Sequence, residues 1–176
     1  MLSFGSKHIY LRALEPEDLS FLEHIENDDK LWHLSNTQTP YSKDILKTYL
    51  QNGHRDIFEV KQLRLVICKN QTDEQVGFID IYDFSPQHNR AGLGIIINKS
   101  FRNQGFAKEA IKSVLNYGLK HLNLHQFFAY IELDNKESIK LFESCGFIKT
   151  GEHKDWNFHH GQYHTEAIYQ NIKDVY

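Results

Sequence analysis

The sequence predicts an α/β fold, one mixed β-sheet with helices on both faces in the order βααβββαβαββ. Three observations carry this expectation. Short apolar runs rich in Ile, Val and Phe are separated by Asn, Asp, Pro and Gly clusters, the pattern of strands and turns. Over residues 106–121, Ala107, Ala110, Ile111, Val114, Leu115 and Gly118 recur at helical spacing and form a stripe that fastens one helix to a sheet. A further helix starts behind Asp134 or Asn135 and stops at Gly146, the usual left-handed C-terminal residue. Strands alternating with helices in this way place the helices over the sheet.

Each element has its own signal. Residues 9–13 read as a first strand, and Glu15-Pro16 opens a helix with face Leu19, Leu22 and Ile25, Pro standing at the favoured first turn. Residues 27–41 are polar, carry Pro40 and read as a loop. A second helix follows Ser42 and buries Ile45, Leu46 and Tyr49. Strands are expected at 64–69, 76–84 and 91–98, separated by the turn residues Asn70-Gln71-Thr72-Asp73 and Ser85-Pro86-Gln87-His88-Asn89. After the long helix comes a strand at 126–133. Residues 148–156 and 163–171 then form a hairpin around His159-His160-Gly161.

Composition sets limits. A chain of 176 residues, 40% hydrophobic and 24% charged, is expected to be a single domain over 1–176 with a substantial core. No apolar run approaches the roughly 18 residues of a membrane span, and the start lacks a basic-then-apolar signal, so a cytoplasmic protein with no membrane partner is expected. Lys and Arg number 20 against 23 Asp and Glu, mixed along the chain, which leaves no basic stripe for nucleic acid. Cys68 and Cys145 belong to no C-x-x-C pair and are expected as buried free thiols.

The chemistry concentrates at Ile95-Ile96-Ile97-Asn98-Lys99-Ser100-Phe101-Arg102-Asn103-Gln104-Gly105-Phe106-Ala107, where a strand runs through a short loop into a helix. Backbone N–H groups at a helix start lack intrahelical partners and sit at the positive end of the dipole, which suits a phosphate. Gly105 lets the chain approach a ligand where a Cβ would obstruct it. Gly92-x-Gly94 is not a dinucleotide fingerprint, because there the glycines follow the strand, whereas here they precede the isoleucines. His153, His159, His160 and His164 cluster near the hairpin tip without a ligand spacing of known type, so no metal is expected.

Arg-x-x-Gly-x-Ala at Arg102 to Ala107, followed by Asn135-x-x-Ser138-x-x-x-Phe142-x-x-x-Gly146-Phe147, resembles the acetyl-CoA signature of the GNAT superfamily of N-acetyltransferases. Arg12-Ala13-Leu14-Glu15-Pro16-Glu17-Asp18-Leu19 and Gly161-Gln162-Tyr163 resemble its spermidine and ribosomal-protein branch. The likeness covers nearly the whole chain and is weakest over 32–63.

The resemblance implies a GNAT-like fold. It also implies transfer of an acetyl group from acetyl-CoA to a primary amine (a protein N-terminus, amino sugar, amino acid or polyamine) by direct attack on the thioester. The alternative is a CoA-binding sensor or scaffold without turnover. Ile95, Ile96 and Ile97 would pair with the pantetheine amides, and Arg102, Asn103, Gln104, Gly105, Phe106 and Ala107 would hold the pyrophosphate. Asn135 would bond the pantetheine arm or cap its helix. Phe142 stands at a cofactor-contacting position where many relatives carry a Tyr, and it has no proton to give the departing thiolate. Ser138, one turn earlier on the same face, is the substitute donor or a helix cap. Asp80 and Asp83 are candidate bases, Asp80 first because it matches an acid of the spermidine enzymes, or else solvent-facing carboxylates, while His125 and the hairpin histidines have the intrinsic pKa of a base without a place in the sequence pattern. Trp32, Tyr41 and Asp83 are candidate acceptor contacts, and Trp156 and Phe158 suggest an aromatic lining. The spermidine enzymes carry acids after the first helix and on the fourth strand. Residues 32–41 have none and Gly92 replaces another, which lowers the expectation of spermidine itself. A homodimer is a possible partner arrangement.

Overall fold

The computed structural model describes residues 5–35, 37–53 and 55–173. Its elements are β1 (Ile9–Ala13), α1 (Leu19–Glu26), α2 (Trp32–Ser35), α3 (Lys43–Gln51), α4 (Ile57–Val60), β2 (Leu63–Lys69), β3 (Gln75–Ser85), β4 (Arg90–Ile97), α5 (Phe106–Lys120), β5 (Gln126–Glu132), α6 (Lys136–Glu143), β6 (Ile148–His159) and β7 (Gln162–Ile172). The seven strands form one sheet in the order β1-β2-β3-β4-β5-β7-β6. All neighbours are antiparallel except β4 and β5, so the α/β mixed sheet is as expected.

The β4–β5 junction positions the site. Parallel pairing covers only Arg90↔Gln126, Ala91↔Phe127 and Gly92↔Phe128, whereas β4 stays paired with β3 out to Gly77↔Ile97. Past Gly92 the two strands therefore fork, and the β5-side edge of β4 has no ladder partner.

Strand alternation divides the core in two. Ile79, Ile81, Leu93, Phe127, Ala129 and Ile131 pack with Phe106, Ala110, Ile111 and Val114 of α5 and with Phe142 of α6. On the opposite face Val66, Cys68 and Phe78 pack against Leu22 and Ile25 of α1 and Leu46 of α3. Ser42 caps α3 by accepting from the Ile45 N–H at 3.3 Å. Gly118 lies so close to the sheet that a Cβ there would sit 2.4 Å from the Phe127 ring. Both cysteines are buried free thiols, their pKa values raised by burial.

Three local expectations change. The segment 27–41 is not a plain loop: Asp28 accepts from the Lys30 N–H to start a 3-10 turn at Asp29–Leu31, which continues into α2. Ile45 is 56% exposed rather than buried, because the inner face of α3 runs along Leu46, Tyr49 and Leu50. The strands β6 and β7 extend to His159 and from Gln162, leaving a two-residue tip with His160 and Gly161 at positive φ, the geometry of a tight hairpin turn.

Candidate active site

A groove of about 240 Å³ opens where β4 and β5 part. Ile95, Ile96 and Ile97 form one wall, residues 101–108 its floor, and Asn135, Ser138 and Leu141 the other wall. Gly105 sits at φ +84°, ahead of α5, and a Cβ there would meet nothing within 4 Å. The loop thus offers open space to a ligand at the start of a fifteen-residue helix. Arg102 anchors its Nε to the Ile97 carbonyl at 3.1 Å, which sets the guanidinium at the groove mouth. The unpaired edge of β4, the open helix start and the cationic side chain fit the amides and pyrophosphate of CoA.

On the opposite wall, the Asn135 Oδ1 accepts from the Ser138 N–H at 3.2 Å and so caps α6 while also facing the groove. Phe142 does not line the groove. Its ring is buried against Phe147 at a centroid distance of 5.0 Å, and α6 closes behind it through Phe147 N–H to Phe142 C=O at 3.1 Å, with Gly146 at φ +87°. Of the expected cofactor contacts, Phe142 alone does not line the groove.

Asp80 is on the α1 face of β3, opposite Gly94. Both its oxygens accept from Arg64, Oδ1 from Nε at 2.6 Å and Oδ2 from Nη2 at 3.0 Å, and Arg64 also bonds Glu26. Tyr82, two residues on, lies across Gly92, where a Cβ would come within 2.2 Å of its ring, and meets Phe128 edge-on at 5.8 Å. Burial raises its pKa and keeps the phenol protonated. The ladder shifts register between Tyr82 and Ser85, and Asp83, at φ +47°, stays on this face with its exposed side chain bordering a separate depression beside Phe128, Tyr130, Arg90 and Gln126. Trp32 is half-buried, with its indole N–H donated to the Glu26 carbonyl at 2.9 Å. Tyr41 is clamped through its backbone by the Asn27 amide and is 37% exposed. Neither lines the groove or the cavity beside it. Trp156 and Phe158 point outward, 60% and 64% exposed.

That adjoining cavity, about 670 Å³, shares Leu34, Arg102 and Asn135 with the groove. Its walls include Asp28, Lys30, Lys99, His33, Glu132, Asp134, His159 and His160. The buried Glu132 carboxylate accepts from Asn157 Nδ2 at 2.9 Å and faces the His159 Nε2 with both oxygens, at 3.0 and 2.9 Å. His164 stacks on His159 at 3.7 Å and 8°, its Nδ1 2.8 Å from Asp134. Burial lowers the His164 pKa, but Asp134 outweighs it, and the net shift is upward. His33 is shifted down by burial and by neighbouring His159. Glu132, His159 and His164 place ligand-type atoms within 4.8 Å of one another. Stacked parallel rings hold their lone pairs side by side instead of converging on one ion.

Sequence reasoning missed Glu132 and His33 and left the hairpin histidines unplaced. Glu132 is the one charged residue in an otherwise apolar and aromatic strand run, and that was the available signal.

The domain model described as acetyltransferase (GNAT) domain matches residues 8–148. The chain is 28% identical to a spermidine N(1)-acetyltransferase of Vibrio cholerae, over 97% of this chain and 93% of that one. It is also 28% identical to the spermidine N(1)-acetyltransferase of Escherichia coli K12, over 88% and 81%. The crystal structure of the Vibrio cholerae spermidine N-acetyltransferase with CoA and spermine superposes with a TM-score of 0.84, at 25% identity, covering 93% of this chain and 95% of that one.

Proposed function

Because the chain belongs to the GNAT acetyltransferase family, we propose that it transfers the acetyl group of acetyl-CoA to a primary amine of a small cationic molecule, a polyamine being the acceptor class. Acetyl-CoA is the co-substrate, and acetyl transfer holds over a CoA-binding module without turnover. The observation that carries the reading is the continuity of two spaces, a groove with an unpaired strand edge and open helix start, and a polar cavity beside it that shares Leu34, Arg102 and Asn135. Residues 32–41 carry no acids, yet the cavity acquires carboxylates from the turn after α1 and from the end of β5 and the residues after it. The same walls carry Lys30, Lys99 and Arg102, so the polyamine class is supported by the likeness to the spermidine N(1)-acetyltransferases and not by the cavity's charge.

In this mechanism Arg102 and the N–H groups opening α5 hold the pyrophosphate, and the free edge of β4 aligns the pantetheine by strand-like addition. A β4 N–H past the fork faces the thioester oxygen as negative charge develops there. Ser138, on the groove wall, hydrogen-bonds to the departing sulfur in place of a phenol. Replacing it by Ala lowers turnover by about tenfold where chemistry is rate-limiting, and unchanged single-turnover rates would remove it from the mechanism. Asp80, tied to Arg64, shapes the acceptor face. Trp32, Tyr41 and Asp83 are left to outer acceptor contacts.

A solved Vibrio cholerae relative is dodecameric, and self-association of this chain as a homodimer or larger ring is part of the reading, as is a cytoplasmic location. Among the described residues no helix is long and apolar enough to cross a membrane. The deciding experiment is thiol release from acetyl-CoA with spermidine, spermine, lysine, glucosamine and a peptide with a free N-terminus. Release with the polyamines first is expected. Release only with the peptide or sugar would overturn the acceptor class, and none with any amine would overturn acetyl transfer.

A further inference from the structure

We propose that Tyr82 is a positioning residue for CoA: its ring ends the β4–β5 ladder after Gly92 and so sets the length of free β4 edge to which the pantetheine pairs. The assignment rests on the CoA-groove reading and adds the side chain that keeps the groove open. Two parallel strands that have begun to pair gain by continuing, because every backbone N–H and C=O left between them needs a partner. A fork in the middle of a sheet therefore needs a cause at its apex.

The register shows where that cause stands. Tyr82, Gly92 and Phe128 form one row across β3, β4 and β5, and it is the last row in which β4 and β5 pair. Extended by two residues, the parallel register would set Gly94 opposite Tyr130. The Tyr82 side chain occupies that place instead. A Cβ at Gly92 would come within 2.2 Å of its ring and one at Gly94 would lie 3.7 Å from it, so the ring covers both glycines. It meets Phe128 edge-on with the centroids 5.8 Å apart. Burial and the Tyr130 phenol raise the Tyr82 pKa, while a hydrogen bond from the Tyr130 main chain lowers it, the effect of an N–H aimed at the phenol oxygen. One side chain of β3 thus crosses β4 and takes the β5 main-chain group of the row that β4 gives up.

The glycines permit the crossing. Gly92 and Gly94 are the two β4 positions on the Tyr82 face before the isoleucines begin, and glycine inside a strand marks a close approach by another group. Here that group is the Tyr82 ring, which gives Gly92-x-Gly94 a purpose other than a dinucleotide. Tyr82 lines neither the groove nor the cavity beside it, so it acts through β4 and not on a substrate. With the pyrophosphate at the start of α5, the pantetheine runs from Ile97 towards the fork and its thioester end lies nearest the apex. Without the phenol, the Tyr130 N–H regains a partner by pairing with β4, the fork zips towards Ile95, and CoA must reopen it on binding.

The test is calorimetric titration of wild type, Tyr82→Phe, Tyr82→Ala, Gly92→Ala and the double variant Tyr82→Ala/Gly92→Ala, with CoA and with adenosine 3′,5′-bisphosphate, a fragment that ends before the pantetheine. Tyr82→Phe loses one hydroxyl and keeps the ring. It is expected to weaken CoA by about 3- to 10-fold, the usual contribution of one hydrogen bond, with the fragment's affinity within about twofold of wild type. Tyr82→Ala and Gly92→Ala each weaken CoA further, and the double variant is no worse than either, because a Cβ at 92 has room once the ring is gone. In turnover the KM for acetyl-CoA rises while the KM for the amine holds. Wild-type CoA affinity in Tyr82→Phe, or CoA and fragment affinities that fall together, overturns the assignment alone. A wild type that binds no CoA overturns the groove reading and this assignment with it.

Discussion

The CoA groove and the histidine-lined cavity touch along three residues but are built differently. The groove comes mostly from one stretch of chain, 95–108, and much of its chemistry is main chain: a strand edge, a loop at positive φ and a helix start. The cavity is assembled from α1 and its following turn, the residues after β4, the end of β5 and the tip of the β6–β7 hairpin. Its decisive contacts are side chain to side chain, 27 positions apart for His159 and Glu132 and 30 for His164 and Asp134. A site made of backbone tolerates many side chains but few changes of φ, whereas one made of paired charges has the opposite sensitivity.

The sharpest way to break that contrast is Arg64→Ala. Arg64 is half-buried between Glu26 and Asp80 and lies over the Tyr49 and Phe78 rings at 5.9 and 5.3 Å. Removing it leaves two carboxylates crowded together in a partly desolvated place, with an expected loss of about 2–3 kcal/mol in urea unfolding, below that of a fully buried pair. The triple replacement Arg64→Leu, Glu26→Ala, Asp80→Ala should recover much of that loss, because the dominant penalty is stranded charge. A single-site loss below 1 kcal/mol would show that the side-chain-built half is not held by this network.

Gly105→Ala probes the groove. At φ +84° a Cβ costs about 1–2 kcal/mol even though it meets no atom, so CoA binding or stability should fall by roughly 5- to 30-fold in equilibrium terms. Gln104→Ala, next to it, removes a longer side chain whose amide only reaches the Ser100 carbonyl, and should change stability by less than about 0.5 kcal/mol. Calorimetric CoA titration of both variants checks the ordering. If Gln104→Ala costs more than Gly105→Ala, the groove is not a backbone device.

The same contrast explains what was legible in the sequence. The groove residues Arg102, Gly105, Asn135 and Ser138 sit at fixed spacing in short motifs, so their positions could be read without knowing the sheet order. Glu132 and His159 could not, because β7 lies between β5 and β6 and the β6–β7 ladder shifts register between His153 and Asn157. That shift sets which hairpin histidines face the cavity: His159 and His160 do, whereas His153 lies against Trp156. The position of Asp83 beside a separate depression depends on a bulge that no local residue pattern announced. Phe142 kept its motif position but turned into the core, since an apolar ring gains by burial against Phe147.

The smallest expected effect is a pH window in thermal stability, which tests whether the hairpin tip is held electrostatically. Burial opposes ionisation of Asp134, yet His164 beside it lowers its pKa overall, while burial of His164 is outweighed by Asp134 and its pKa rises. A lowered carboxylate pKa gives stability that is present above the unfolded value, near about 3.9, and lost as pH falls. A raised histidine pKa gives stability that is full below about 6.5 and lost as pH climbs through the folded value. The pair should therefore stabilise the fold chiefly between those limits. The contribution is small because the Asp134 side chain is 59% exposed and salt screens it. Melting curves from pH 3 to 9 for wild type and His164→Asn should differ most near pH 5 to 6 and converge at both ends. A difference that stays constant with pH would mean that His164 supports the tip by stacking on His159 alone.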